Sequence, residues 1–300
     1  TGSRTVGTQI YQKLKGQHTS TQYDFKPVSK TVITEMGGKN AIIITNNCEL
    51  DETVSGVIYS AFAHSGQKCS AASRIIIDEE VKDSFISRFI TAVNDLKIGK
   101  SYEFDTTINP LVSLGDELRV KALVSDAVDE AFKTDGSVLL DNSKLDYPGF
   151  CVGPAVIELK LSQAMKKDSI SQKEIFGPVL HLIPYSNLNE AIELFNSTDY
   201  ALTGGIFGQS QDDIDYLSSK MQCGNIYINR PSTGARVAIE PFGGFKMSGT
   251  GPKAGSRDYL YSFMRIEDDS DDIDIDIDDI QTKNIKFASS SKLSAAQRQE

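Results

Sequence analysis

The chain has 300 residues, 39% hydrophobic and 24% charged, enough for a full core and for two domains. No stretch reaches the roughly 18 apolar residues of a membrane span, no basic-then-apolar leader opens it, and its scattered lysines make no basic stripe for nucleic acid. Cys48, Cys69, Cys151 and Cys223 show neither CxxC pairing nor the density of a secreted scaffold, which predicts reduced thiols, a cytoplasmic location and no zinc.

In chain order, TGSRTVG at 1–7 reads as a Gly and Ser turn opening a helix, and residues 11–15 continue that helix. The β-branched TVIT at 31–34 reads as a strand ending at Glu35, after which Gly37 and Gly38 allow the backbone to come close to another group. Residues 40–45 are a buried-strand run. Val54, Val57, Ile58, Ala61 and Phe62 recur at helical spacing and predict a helix over 51–64 that delivers Cys69. A strand at 74–77 and helices at 81–96 and 118–132 follow, then short strands at 138–140 and 155–158. Further helices are predicted at 190–196 and 211–221, with strands at 201–207 and 225–229. This alternation points to an α/β sheet.

The glycine-rich segment 234–255 is predicted to be loop, and its length favours a functional role. From residue 267 onward ten acids face four Lys or Arg, so the formal charge of −10 sits mostly in the tail. Within it DDIDIDIDDI, 271–280, alternates strictly, which fits either a solvated acidic tail or a strand added to the sheet of a partner subunit. Residues after 283 read as a flexible terminus.

Cys69 stands among small residues in SGQKCSA, 65–71. A lone cysteine after a helix is by itself an inert buried thiol. Glu35, in EMGGKN on another glycine-punctuated loop, makes a base for it, and Lys68 beside the thiol can lower its pKa. His18, His64 and His181 raise a Cys and His hydrolase, but His64 five residues before Cys69 is no diagnostic spacing. Arg236 and Lys246 read as solvated side chains. Glu174 and Phe176, in EIFGPVL, fit a capping Glu and a core Phe equally well.

Together SGQKCSA, EMGGKN, EIFGPVL and PFGGFKMSGTG (241–251) resemble the aldehyde dehydrogenase superfamily over residues 1–263. The resemblance implies an α/β aldehyde-dehydrogenase-like catalytic domain with the end of a truncated dinucleotide-binding domain. Its boundaries are 1–38 for the remnant of the NAD-binding domain, 39–263 for the catalytic domain with its substrate anchor loop, and 264–300 for the acidic tail. It assigns Cys69 as nucleophile and Glu35 as general base. Gly2 and Ser3 would meet the NAD pyrophosphate at a helix N-terminus. Glu174 would hold the nicotinamide ribose hydroxyls, with Phe176 packed nearby.

NRPSTGARVAIEPFGG (229–244) and SGTGPKAG (248–255), with SGQKCSA, are similar to the pyrroline-5-carboxylate branch, which is also the dehydrogenase module of bifunctional proline utilization A proteins. That branch implies oxidation of glutamate semialdehyde to glutamate in proline catabolism. Lys68, Ser70 and the amides of Gly234 and Ala235 would hold the second carboxylate, and Phe242 would line the aliphatic part. A homo-oligomer, and a proline dehydrogenase domain in the same full-length chain, are implied as partners. In the family an oxyanion-hole asparagine and an adenosine-binding lysine lie upstream of Thr1, so the resemblance implies a fragment whose NAD site is incomplete and which is inactive alone. Competing readings are a dehydrogenase of another short semialdehyde and a non-catalytic assembly module.

Overall fold

A computed structural model of the chain describes residues 1–14, 18–19, 28–29, 32–236 and 239–264, and the alternating stretch 271–280 lies outside them. Two isoleucine runs form the middle of its sheet. Strand β1 (Asn40–Ile44) and strand β2 (Ala72–Asp78) pair in parallel, Ile42 opposite Ile75 and Ile43 opposite Ile76. A run without polar alternation is what a strand covered on both faces requires. The sheet is completed by β3 (Ser137–Asp141), β4 (Ala155–Glu158), β5 (Val179–Tyr185), β6 (Thr203–Phe207) and β7 (Asn225–Ile228). The order is β7-β6-β1-β2-β5-β4-β3, parallel except for the β3–β4 pair at one edge.

Helices cover both faces. Ile42, Ile44, Ile75 and Ile77 pack with Val57 and Phe62 of α2 (Leu50–Phe62) and with Phe85 and Phe89 of α3 (Glu79–Asn94). Ala41, Ile43 and Ile76 meet Val120 and Val124 of α4 (Leu114–Lys133), Leu194 of α5 (Leu188–Asn196) and Leu217 of α6 (Gln211–Lys220). The side chains of Asp78, Ser113, Asn187 and Ser210 cap the N-termini of α3 to α6, accepting from first-turn amides that otherwise have no partner. The first helix, α1 (Arg4–Leu14), carries Ser3 before it as cap, and the Val6 amide donates to the Ser3 hydroxyl. Residues Thr1–Phe263 form one compact unit.

The elements depart from the periodicity in three places. β5 was not expected, because His181 and Pro184 interrupt its apolar pattern, yet it pairs with β2 on one side and β4 on the other. Thr31 lies outside the described residues, and 32–34 form no strand. Instead Thr250 takes the role of a partner, its hydroxyl accepting from the Thr34 amide at 2.8 Å and its amide donating to the Thr34 carbonyl at 3.1 Å. The segment 234–255 is not all loop either: Phe245–Lys246 pairs antiparallel with Tyr200–Ala201, which splits off the run expected to be one strand at 201–207.

Candidate active site

The residues singled out by the motifs gather at the amino ends of the central parallel strands. Glu35 to Gly38 lead into β1, Cys69 leads into β2 and Glu174 to Phe176 lead into β5. The turn carrying Cys69 is built from unusual backbone. After α2 ends at Phe62, His64 and Ser65 take left-handed φ angles of 57° and 58°, followed by Gly66 at 68°. Two such side-chain-bearing residues are each disfavoured by about 1–2 kcal/mol and persist only where their surroundings hold them. Here the Ser65 hydroxyl donates to the Asn109 carbonyl at 2.5 Å and accepts from the Asn109 amide at 3.0 Å. A Cβ on Gly66 would fall 2.3 Å from the Gly177 carbonyl oxygen, so only glycine lets the turn lie against EIFGPVL.

Glu174 and the Cys69 turn both pack on the glycine pair, and Glu35 precedes it in the chain. Glu174 accepts from the Gly38 amide at 3.0 Å and fills the space where a Gly37 side chain would be, while Gly38 lies against the Cys69 carbonyl. Glu35 is held on its backbone by the Gly2 amide, which donates to the Glu35 carbonyl at 3.0 Å, and by a single bridge to Gly249. Its carboxylate lies between Gly243 and Gly249, with Oε1 buried and unpartnered.

Burial pushes the Glu35 carboxyl up to about 7, against the Gly244 amide, which pulls it down. Burial also raises the Cys69 thiol. The Ser70 amide and Cys69's own amide pull it back, while the charges of Glu174 and Glu35 raise it further. Neighbouring amides, rather than the Lys68 ammonium expected beside it, are what favour the thiolate. Glu174 too is raised by burial, opposed by the Gly38 amide and by Lys39 and Arg119. A thiol and a half-buried carboxyl that titrates near neutrality and has one unpaired oxygen are the residue types a nucleophile and its base require.

The profile of the aldehyde dehydrogenase family matches residues 1–268. The chain belongs to the aldehyde dehydrogenase family. It is 35% identical over 264 residues to the 1-pyrroline-5-carboxylate dehydrogenase of Staphylococcus haemolyticus (strain JCSC1435), covering 88% of this chain and 48% of the relative. Among solved structures, proline utilization A from Bdellovibrio bacteriovorus superposes with a TM-score of 0.75 at 38% identity, over 88% of this chain and 26% of that one. A 1-pyrroline-5-carboxylate dehydrogenase from Thermus with bound NAD superposes at 0.76 and 32% identity, over 89% of this chain and 49% of that one. The chain thus spans about half the length of the curated relatives it matches.

In this aldehyde dehydrogenase chain, a cleft of about 370 Å³ opens beside Glu174, lined by Ser3, Arg4, Lys167, Lys173 and Tyr200 among others. Its donors suit a phosphate at the α1 N-terminus and its carboxylate suits sugar hydroxyls, so the residues fit the diphosphate and one ribose of a dinucleotide. Arg4 and Lys167 are both engaged by Asp199. Phe176 stands beside Glu174 with a left-handed φ of 55° and 39% of its surface exposed. Among the described residues, no group of three or more His, Cys, Asp and Glu could hold a metal, and no helix is long and apolar enough to cross a membrane.

The residues expected to anchor the substrate are placed less tightly. Gly234 is exposed with φ 86°, Ala235, Lys68 and Phe242 are half-buried, and Ser70 is buried. Among the described residues no hydrogen bond joins Gly234 or Ala235 to Lys68 or Ser70. The loop does return to the site edge: the Ser232 amide donates to Ser60 on α2 at 2.9 Å, and Phe242 and Ala254 exchange backbone bonds. Arg236 is exposed as expected but pairs with Glu240, which also takes Arg230, closing the loop on itself. Lys246 is not free: it donates to the Asn196 carbonyl at 3.0 Å.

Two residues at the site carry no sequence signal that would have found them. Asn40 is buried and donates to the Cys69 and Ala71 carbonyls at 2.7 and 2.9 Å. Lys39, also buried, has an amine without a hydrogen-bond partner, and burial, with help from Arg74 and against Glu174, pushes it down to about 7. An unpartnered buried donor disfavours folding by about 1–3 kcal/mol. Lys39→Met is therefore expected to raise the urea midpoint at neutral pH; a lowered midpoint would mean that Glu174 depends on that charge.

Proposed function

We propose that this chain carries the nucleophile and base of an NAD-dependent oxidation of L-glutamate 5-semialdehyde to L-glutamate, the step of proline catabolism after 1-pyrroline-5-carboxylate. The observation that carries the reading is the half-buried Glu35 carboxyl, partnerless at Oε1 and titrating near 7, whose charge is felt by the Cys69 thiol. Support for the substrate comes from the relatives' names and from the 229–255 loop at the site edge.

Cys69 as thiolate attacks the aldehyde carbon, and the oxyanion of the thiohemiacetal lies beside the Cys69 amide. NAD, when bound in the cleft by Glu174, Ser3 and Gly2, supplies the hydride acceptor. Collapse of the thiohemiacetal leaves a thioester on Cys69. Glu35 then takes a proton from water, the resulting hydroxide adds to the thioester carbon, and the thiol leaves as glutamate is released. Lys68, Ser70, Gly234 and Ala235 are proposed to hold the α-carboxylate, with Phe242 along the aliphatic chain. Residues 1–38 are proposed as the end of the dinucleotide-binding domain. A homo-oligomer and a linked proline dehydrogenase domain are proposed for the intact protein, the latter supported by the similarity to proline utilization A.

The test has two arms. Iodoacetamide is expected to label Cys69 at least about tenfold faster than Cys48, Cys151 or Cys223, since a reactive thiol needs access and thiolate-favouring donors together. The intact protein is expected to turn over glutamate semialdehyde with NAD far better than aldehydes without an α-carboxylate. Equal labelling of all four thiols would sink the nucleophile, and indifference to the carboxylate would leave a dehydrogenase of another short aldehyde.

A further inference from the structure

Three carbonyls in succession, those of Cys69, Ser70 and Ala71, are tied inward to the sheet by two side chains. Asn40, 3% exposed at the first position of β1, gives one amide hydrogen to the Cys69 carbonyl at 2.7 Å and the other to the Ala71 carbonyl at 2.9 Å. Its own carbonyl accepts from the Thr203 amide at 3.0 Å, which locks the side chain to the first residue of β6. The Thr203 hydroxyl in turn donates to the Ser70 carbonyl at 3.2 Å. The register between β1 and β2 slips between Asn40 and Ala41, so that Ala72 and then Arg74 are paired and Ser73 is skipped. Such an irregularity next to an active site re-aims a side chain, and here it accompanies an asparagine directed at the turn instead of at a sheet neighbour.

Resting on the reading of Cys69 as nucleophile, we propose that Asn40 and Thr203 are positioning residues for it: by holding the turn's carbonyls toward the sheet, they keep the Ser70 amide directed at the Cys69 sulfur. The link is peptide planarity. In a trans peptide the carbonyl and the N–H point opposite ways, and among the described residues no peptide bond is cis. With the Cys69 carbonyl drawn to Asn40, the Ser70 N–H must face away from the sheet, where the thiol is. Of the groups that favour the thiolate, that amide has the largest effect. Only an amide side chain fits the task, because the site needs two donors and one acceptor from one planar group. A carboxylate lacks the donors and a hydroxyl cannot span both carbonyls. Asn40 touches no reacting atom; it acts through the Ser70 peptide.

A role in folding alone would lower thermal stability and leave the thiol's titration unchanged, which separates it from the proposal. The experiment follows alkylation of each cysteine by iodoacetamide from about pH 6 to about pH 10, spanning the ordinary thiol range, in wild type, Asn40→Ala and Thr203→Val. In folded Asn40→Ala the Cys69 midpoint is expected to rise by about one pH unit. Because a more basic thiolate is also the better nucleophile, alkylation near pH 7 slows only by roughly threefold. Thr203→Val, which keeps the side-chain shape, is expected to move the midpoint the same way by less, and the profiles of Cys48, Cys151 and Cys223 are expected to stay in place. A folded variant whose Cys69 midpoint does not move overturns the proposal. If Asn40→Ala does not fold, Thr203→Val decides by the same criterion. The wild-type arm stands apart: absence of preferential Cys69 labelling there refutes the nucleophile itself and not its positioning.

Discussion

Glu35→Gln is expected to leave acylation of Cys69 intact and to slow turnover by about 10²–10⁴-fold, the usual contribution of a positioned general base. The amide matches the carboxyl in size, so it keeps its place between Gly243 and Gly249, and its oxygen can still accept from the Gly244 amide. It cannot take a proton from water. In the intact enzyme with glutamate semialdehyde and NAD, the variant should therefore give a burst of one hydride transfer per site and then stall. Intact mass should show the acyl group on Cys69.

The pH dependence has a definite sign. Burial raises the Glu35 carboxyl to about 7, so it is protonated and useless as a base below that pH. The hydrolytic rate is expected to climb with pH through about 7 and level off above it, where an ordinary carboxylate would have levelled off near pH 5. In Glu35→Gln this limb should vanish; its survival in the variant would assign the base elsewhere. The same shift bears on stability. The folded chain holds this proton more tightly than the unfolded one, so the buried carboxyl increasingly disfavours folding as pH rises from about 4.5 to about 7.

The central sheet was readable because its signals are local. Isoleucine runs at 42–44 and 75–77 have one sensible fate, and Val81, Phe85, Phe89 and Val93 at helical spacing produced the buried stripe of α3. β5 was not readable, since a buried histidine and a proline in its middle suit a strand only when strands on both sides and helices on both faces are already in place. The site divides the same way. Cys69 and Glu35 stood out through motifs flanked by glycine, and the glycines prove necessary because Gly38 and Gly66 lie against other backbone. Asn40 gave no such signal. Its three partners, Cys69, Ala71 and Thr203, are brought to it by strand order and a register slip, which no local pattern encodes.

The glycine pair supplies the other large effect, and its two members should fail differently. A Cβ on Gly38 would lie 2.6 Å from the Cys69 carbonyl oxygen and 2.7 Å from the Asn40 side chain that holds it. Backbone cannot swing aside, so Gly38→Ala must push the Cys69 turn away from Asn40 by a substantial fraction of an ångström. Displacement of about 1 Å at a nucleophile lowers turnover on the order of 10²-fold. The loss is expected in kcat, with slower Cys69 alkylation and little change in NAD affinity. On Gly37 the three atoms nearest the added Cβ all belong to the carboxylate of Glu174, the first at 1.9 Å, and a side-chain end can rotate away. Gly37→Ala should therefore dislodge Glu174 from the Gly38 amide, raise KM for NAD and leave Cys69 alkylation nearly unchanged. Equal loss of alkylation in both variants would show that Glu174, and not the Gly38 contact, holds the thiol in place.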